Sequence, residues 1–138
     1  MKKPGIIELH EKLNNKEITS EELIKEAINN AHELQEKCNA FVTIMDDANS
    51  DFYKNTYLSG IPYGIKDNYS TKDILSTGSS NTLKDYVPFF DATAVINLKN
   101  NGAVGVAKTA LDEFGMGGTG LTAHTGIIKN PWDNTRIC

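Results

Sequence analysis

The sequence of 138 residues has no long apolar run. Nothing in it approaches the roughly 20 consecutive apolar residues that a membrane span needs. The opening MKKPGIIELHEKL carries two lysines, but charged residues soon break the apolar stretch a signal peptide requires. Cysteine is scarce: Cys38 and Cys138 are far apart and show no CxxC spacing, so neither a metal site nor a disulfide framework is indicated. His10, His32 and His124 are equally scattered and lack metal-ligand spacing. An excess of basic charge is missing as well. With 14 Lys and Arg against 18 Asp and Glu, the net charge of −4 leaves no basic footprint for nucleic acid across the whole chain. The expectation is a soluble, cytoplasmic protein that holds no metal and binds no membrane.

What is present suffices for one modest core, since 39% of the residues are hydrophobic in a chain of single-domain length. Residues 6–14 predict a short helix with Ile6, Ile7, Leu9 and Leu13 on its apolar side. Thr19 and Glu22 have capping-box spacing, and Ile18 with Leu23 occupies the positions of a hydrophobic staple. From there Leu23, Ile24, Ala27, Ile28, Ala31 and Leu34 repeat at helical spacing to about Glu36. Residues 41–45 (FVTIM), 60–65 and 103–107 (AVGVA) read as short buried strands, the last ending at Lys108. Residues 46–58 suit helix or loop, and residues 68–86 form a long irregular segment of the kind that often carries function. Asp91 is placed to cap a helix running to about Asn101, with Ala92, Val95, Ile96 and Leu98 inward and Gly102 just past its end. Helices alternating with short, continuously apolar strands predict an α/β fold: one domain over 1–138, with helices over 6–36 leading into a core from about residue 40.

Two places draw chemical attention. In GIPYGIKDN, residues 60–68, Lys66 sits at the mouth of an apolar strand, where an ammonium is costly unless it is paired. GMGGTG, residues 115–120, places four glycines in six positions. Such a run lets backbone N–H groups approach a ligand, as in a phosphate cradle. Its spacing matches neither G-x-x-x-x-G-K-[ST] nor a strand-borne G-x-G-x-x-G. A loop lining some other pocket, or a flexible turn, accounts for it better.

GIPYGIKDN, TKDILSTGSSNTL, FFDATAVINLKNNGAVGVAKTALDEFGMGGTG and HTGIIKNPWD follow one another at close spacing. In that order they resemble the amidase-signature family over residues 5–138, most closely its branch of tRNA-dependent amidotransferase A subunits. The resemblance implies a mixed sheet flanked by helices and amide hydrolysis by a Ser–Ser–Lys triad. It puts the general base at Lys66, as a neutral, desolvated lysine. It puts Gly115, Met116, Gly117, Gly118 and Thr119, after the Asp112–Glu113–Phe114 element, beside the amide substrate. The reading of the two carboxylates as an acidic first helical turn stays open. Both triad serines belong to a Gly/Ser-rich stretch following Asn130–Pro131–Trp132–Asp133. Here Asp133 is followed by Asn134, Thr135, Arg136, Ile137 and Cys138, which contain no such stretch. The chain alone is therefore expected to be inactive. Ser79 and Ser80 read as polar loop residues rather than substitute nucleophiles, and Lys108 as structural.

For this amidotransferase branch, the resemblance implies release of ammonia from glutamine for transamidation of Glu-tRNA(Gln) to Gln-tRNA(Gln). It also implies partner B and C subunits. ATP and Mg2+ go to the B subunit, tRNA contacts run through that partner, and this chain needs no cofactor of its own. The alternatives are a non-catalytic relic, a partner-binding fragment, or one half of a split amidase.

Overall fold

The computed structural model describes residues 4–50 and 55–138. Helix α1 runs over Ile6–Asn14 and α2 over Ser20–Cys38. Strand β1 covers Phe41–Ile44, β2 Pro62–Lys66 and β3 Val104–Thr109, with α3, Thr93–Asn100, between the last two. The strands form one mixed sheet in the order β1-β3-β2, β3 being antiparallel to β1 and parallel to β2. The expected α/β architecture is present. The most continuously apolar strand, β3, takes the centre, where it has a neighbour on both sides.

Helix α2 begins where the capping box places it. The Thr19 hydroxyl accepts from the Glu22 amide at 3.1 Å, and the Glu22 carboxylate accepts from the Thr19 amide at 2.8 Å. It runs two residues past the expected Glu36 and stops at Asn39, which takes the left-handed conformation (φ 53°). It packs across all three strands, burying Ile24, Ala31 and Cys38. Burying an aliphatic side chain of Ile24's size stabilises by about 1.5–3 kcal/mol. Ile61 and Ile65 from the β2 region, Val106 and Ala107 from β3, and Val95 from α3 join them in the core.

Several expectations are corrected. In α1, Ile6 and Ile7 are exposed and His10 is buried against the Tyr57 ring, 4.8 Å between centroids. Residues 41–44 are half-buried, because β1 is a sheet edge. Asp91 does not cap α3. The N-cap is Ala92, and the Asp91 carboxylate instead accepts from the Lys72 amide (2.8 Å) and the Lys99 ammonium (2.7 Å). Ile96 faces outward. Gly102 does end α3, with φ +82° and the paired bonds of a Schellman motif, Ala103 N–H to Leu98 O and Gly102 N–H to Lys99 O. Of the ambiguous segment 46–58, the described part is turn and coil, and residues 51–54 lie outside the described residues. No described helix is long and apolar enough to cross a membrane.

Candidate active site

Strands β2 and β3 run parallel, with Ile65 beside Lys108 and Lys66 beside Thr109, so two lysines finish neighbouring strands at the same end of the sheet. Their surroundings are opposite. Lys66 is exposed, and its ammonium makes no hydrogen bond or ion pair among the described residues. Lys108 is wholly buried. Its ammonium donates to the Tyr69 carbonyl (2.7 Å), the Thr71 hydroxyl (3.0 Å) and the Ser76 hydroxyl (2.6 Å), and stands 3.6 Å from the Asp67 carboxylate. Desolvation lowers the Lys108 pKa from the ordinary lysine value, against the opposing attraction of Asp67. At this end of the sheet Lys108 is the desolvated lysine, and Lys66 is exposed. The lysine at the end of β2 is exposed because no described residue covers it.

The irregular segment 68–86 is what buries Lys108, and it is ordered by Asp67. One carboxylate oxygen of Asp67 accepts from the Thr77 amide (2.9 Å), the Thr77 hydroxyl (2.6 Å) and the Ser79 amide (3.3 Å). Ser79 and Ser80 are both buried and engaged. The Ser79 hydroxyl accepts from the Leu111 amide at 3.0 Å, and the Ser80 hydroxyl donates to Glu113 at 2.6 Å. Neither stands free as a nucleophile, which fits their reading as loop residues.

Asp112 organises the glycine-rich turn. Its carboxylate accepts from the amides of Thr119 (2.9 Å), Gly120 (2.9 Å) and Thr122 (3.0 Å), and from the Thr122 hydroxyl (2.9 Å). Those bonds, the Gly120 amide first, hold its pKa well below the usual carboxylate range. A methyl group at Gly117 would stand 2.5 Å from the same carboxylate, so only glycine lets the loop close over it. No α-helix starts here: Glu113–Gly115 is a single 3-10 turn, with Phe114 left-handed at φ 52°. The acidic-first-turn reading of Asp112 gives way to a side-chain knot.

The two candidate regions meet. Beyond Lys66, Asn68 lies beside Gly115, whose missing Cβ would sit 3.6 Å from the Asn68 amide nitrogen. From Gly115 onward, Met116, Gly117 and Gly118 are exposed and Thr119 is half-buried. One end of the sheet therefore carries the exposed Lys66 and, reached through Asn68, an exposed glycine-rich loop. Among the described residues, no three His, Cys, Asp or Glu side chains group as metal ligands.

The family model for amidases matches residues 22–138. The chain belongs to the amidase family. The A subunit of glutamyl-tRNA(Gln) amidotransferase from Streptococcus pneumoniae (strain 70585) is 45% identical over 143 residues, covering 96% of this chain and 29% of that protein. The crystal structure of the corresponding Thermotoga maritima protein superposes with a TM-score of 0.82 at 31% identity, over 99% of this chain and 30% of that one. The peptide amidase of Stenotrophomonas maltophilia shares the fold, with a TM-score of 0.84 at 22% identity, over 96% of this chain and 31% of that one. The chain spans less than a third of the length of the curated relatives it matches. Its fold is the corresponding part of the amidase fold.

Two features of this region escaped the sequence reading: the buried Lys108–Asp67 pair and the Asp112 knot. A signal existed for the first. Lys108 is flanked by AVGVA and TAL, an apolar context in which a lysine has no route to water. For Asp112 there was none, because three of its four donors are backbone amides, which every residue except proline possesses.

Proposed function

We propose that this chain supplies the general base and an amide-binding loop of a glutaminase subunit that releases ammonia for transamidation of Glu-tRNA(Gln). The observation that carries the reading is the exposed, unengaged ammonium of Lys66 at the sheet end shared with the glycine-rich loop. The identity to the amidotransferase relatives supports the choice of amide. In this mechanism neutral Lys66 takes a proton, through a bridging serine, from the serine that attacks the amide carbon. Gly115, Met116, Gly117, Gly118 and Thr119 line the bound amide. Both serines come from sequence beyond these 138 residues. So does the cover that removes water from Lys66. ATP and Mg2+ act on a partner B subunit, which also holds the tRNA. The small C subunit clasps the pair, and the complex is cytoplasmic.

The test joins residues 1–138 to the remaining length of the Streptococcus pneumoniae relative, supplies its partner subunits, and measures ammonia release from glutamine. The parent chimera is expected to turn over, and Lys66→Ala to lose roughly 10²–10⁴-fold, the usual worth of a positioned base. Unchanged release from Lys66→Ala contradicts the proposal. A second reading, a non-catalytic fragment that binds a partner, draws on the buried, engaged state of Ser79 and Ser80. It predicts no glutamine hydrolysis from the chimera.

A further inference from the structure

Asp67 directly follows Lys66 and is held at both ends of its backbone and along its side chain. Its amide donates to the Thr109 carbonyl of β3 at 3.0 Å, and its carbonyl accepts from the Gly78 amide at 3.2 Å. One carboxylate oxygen takes the three donors from Thr77 and Ser79, and the other lies 3.6 Å from the Lys108 ammonium with no hydrogen bond of its own. Asp67 and Lys108 are both fully enclosed.

The segment that Asp67 grips continues to the glycine-rich loop. The Gly78 carbonyl accepts from the Phe114 amide (2.9 Å), the Ser79 hydroxyl from the Leu111 amide (3.0 Å), and Glu113 from the Ser80 hydroxyl (2.6 Å). Next to Glu113, Asp112 fixes Thr119, Gly120 and Thr122. An unbroken run of short bonds therefore joins the residue after Lys66 to both ends of the exposed loop.

We propose that Asp67, anchored by Lys108, is a positioning residue that fixes the Lys66 backbone and the 115–119 loop relative to each other. This rests on the reading of Lys66 as base, and extends it to two residues that touch neither substrate nor reacting atoms. Misplacing a reacting group by about 1 Å costs up to roughly 100-fold in rate, so the coupling is visible in kinetics.

The experiment uses the same full-length chimera with its partners, and reads kcat and KM per folded molecule. Asp67→Ala and the milder Asp67→Asn are compared with Val95→Ala, which opens a cavity in the core beneath α3. The Asp67 variants are expected to lose roughly 10-fold to 100-fold in kcat and to raise KM severalfold, because base and loop are released together. Val95→Ala is expected to keep both constants once corrected for the folded fraction. Asp67→Asn matching Val95→Ala in both constants overturns the proposal, leaving the pair a role in stability alone. If Asp67→Ala does not fold, Asp67→Asn decides. Lys66→Ala, run alongside, separates the two claims: if it retains turnover, the base assignment has failed. The Asp67 coupling is then read from backbone amide shifts at residues 66–68 and 115–119. They must move together in Asp67→Asn and stay fixed in Val95→Ala; shifts confined to 66–68 overturn it.

Discussion

The buried Lys108 ammonium is matched by the Tyr69 carbonyl, two hydroxyls and the buried Asp67 carboxylate. Truncating one member of such a pair leaves the other charged and buried, which typically costs about 3–5 kcal/mol. Lys108→Met is therefore expected to lower stability by about that amount in urea unfolding, well beyond the lost packing of a lysine stem. Adding Asp67→Asn to Lys108→Met removes the stranded charge and is expected to recover most of the loss; a double variant weaker than the single one contradicts the pairing. Asp112 gives a second prediction at this scale. Its folded pKa lies below the ordinary aspartate value of about 3.9. Its contribution is therefore present above that value and is lost as pH falls through the depressed one. An NMR titration of the Gly120 amide is expected to show a midpoint below the ordinary value. A midpoint at or above it means the knot does not hold in solution.

Helix α2 shows how far local rules reach. Its start was legible because a capping box is written in two residues, Thr19 and Glu22, and both of its bonds are present. Thr19→Ala is expected to cost about 1 kcal/mol in urea unfolding. The Glu22 carboxylate is held below its ordinary pKa by the bonds from the Thr19 amide and hydroxyl. Its advantage over Glu22→Gln is therefore present above the ordinary glutamate range and is lost as pH falls through the lowered value. A stability gap between the two that is unchanged from pH 7 to pH 3 contradicts this. All three strands were legible too, from short apolar runs, as was the Gly102 stop of α3. What sequence misassigned shares one cause, the direction of side chains set by distant partners. Asp91 had the residue type of a cap, yet Lys72 and Lys99 claim its carboxylate. Ile6, Ile7 and Ile96 had the right spacing for a core, yet they stand exposed. Lys66 and Lys108 end their strands alike, and only the folding of residues 69–76 over one of them decides which is buried.

The molecule as a whole exposes large apolar side chains, among them Trp132 at 94%, Phe89 at 82% and Met116 at 81%. Both edges of its three-stranded sheet lack a neighbouring strand among the described residues. Exposed apolar surface and open edges favour association. The 138-residue chain by itself is expected to bind a hydrophobic dye at neutral pH and to self-associate. A sharp melt from a clean monomer without dye binding speaks against this. The sequence match and the shared fold agree, since nearly the whole chain matches relatives more than three times as long. The central claim is that Lys66 accepts a proton, and charge-preserving replacement tests it most directly. In the full-length chimera, Lys66→Arg keeps a cation at the end of β2, but a guanidinium does not deprotonate near neutral pH. Ammonia release from glutamine by that variant is predicted to be undetectable, and turnover close to the parent's contradicts the account.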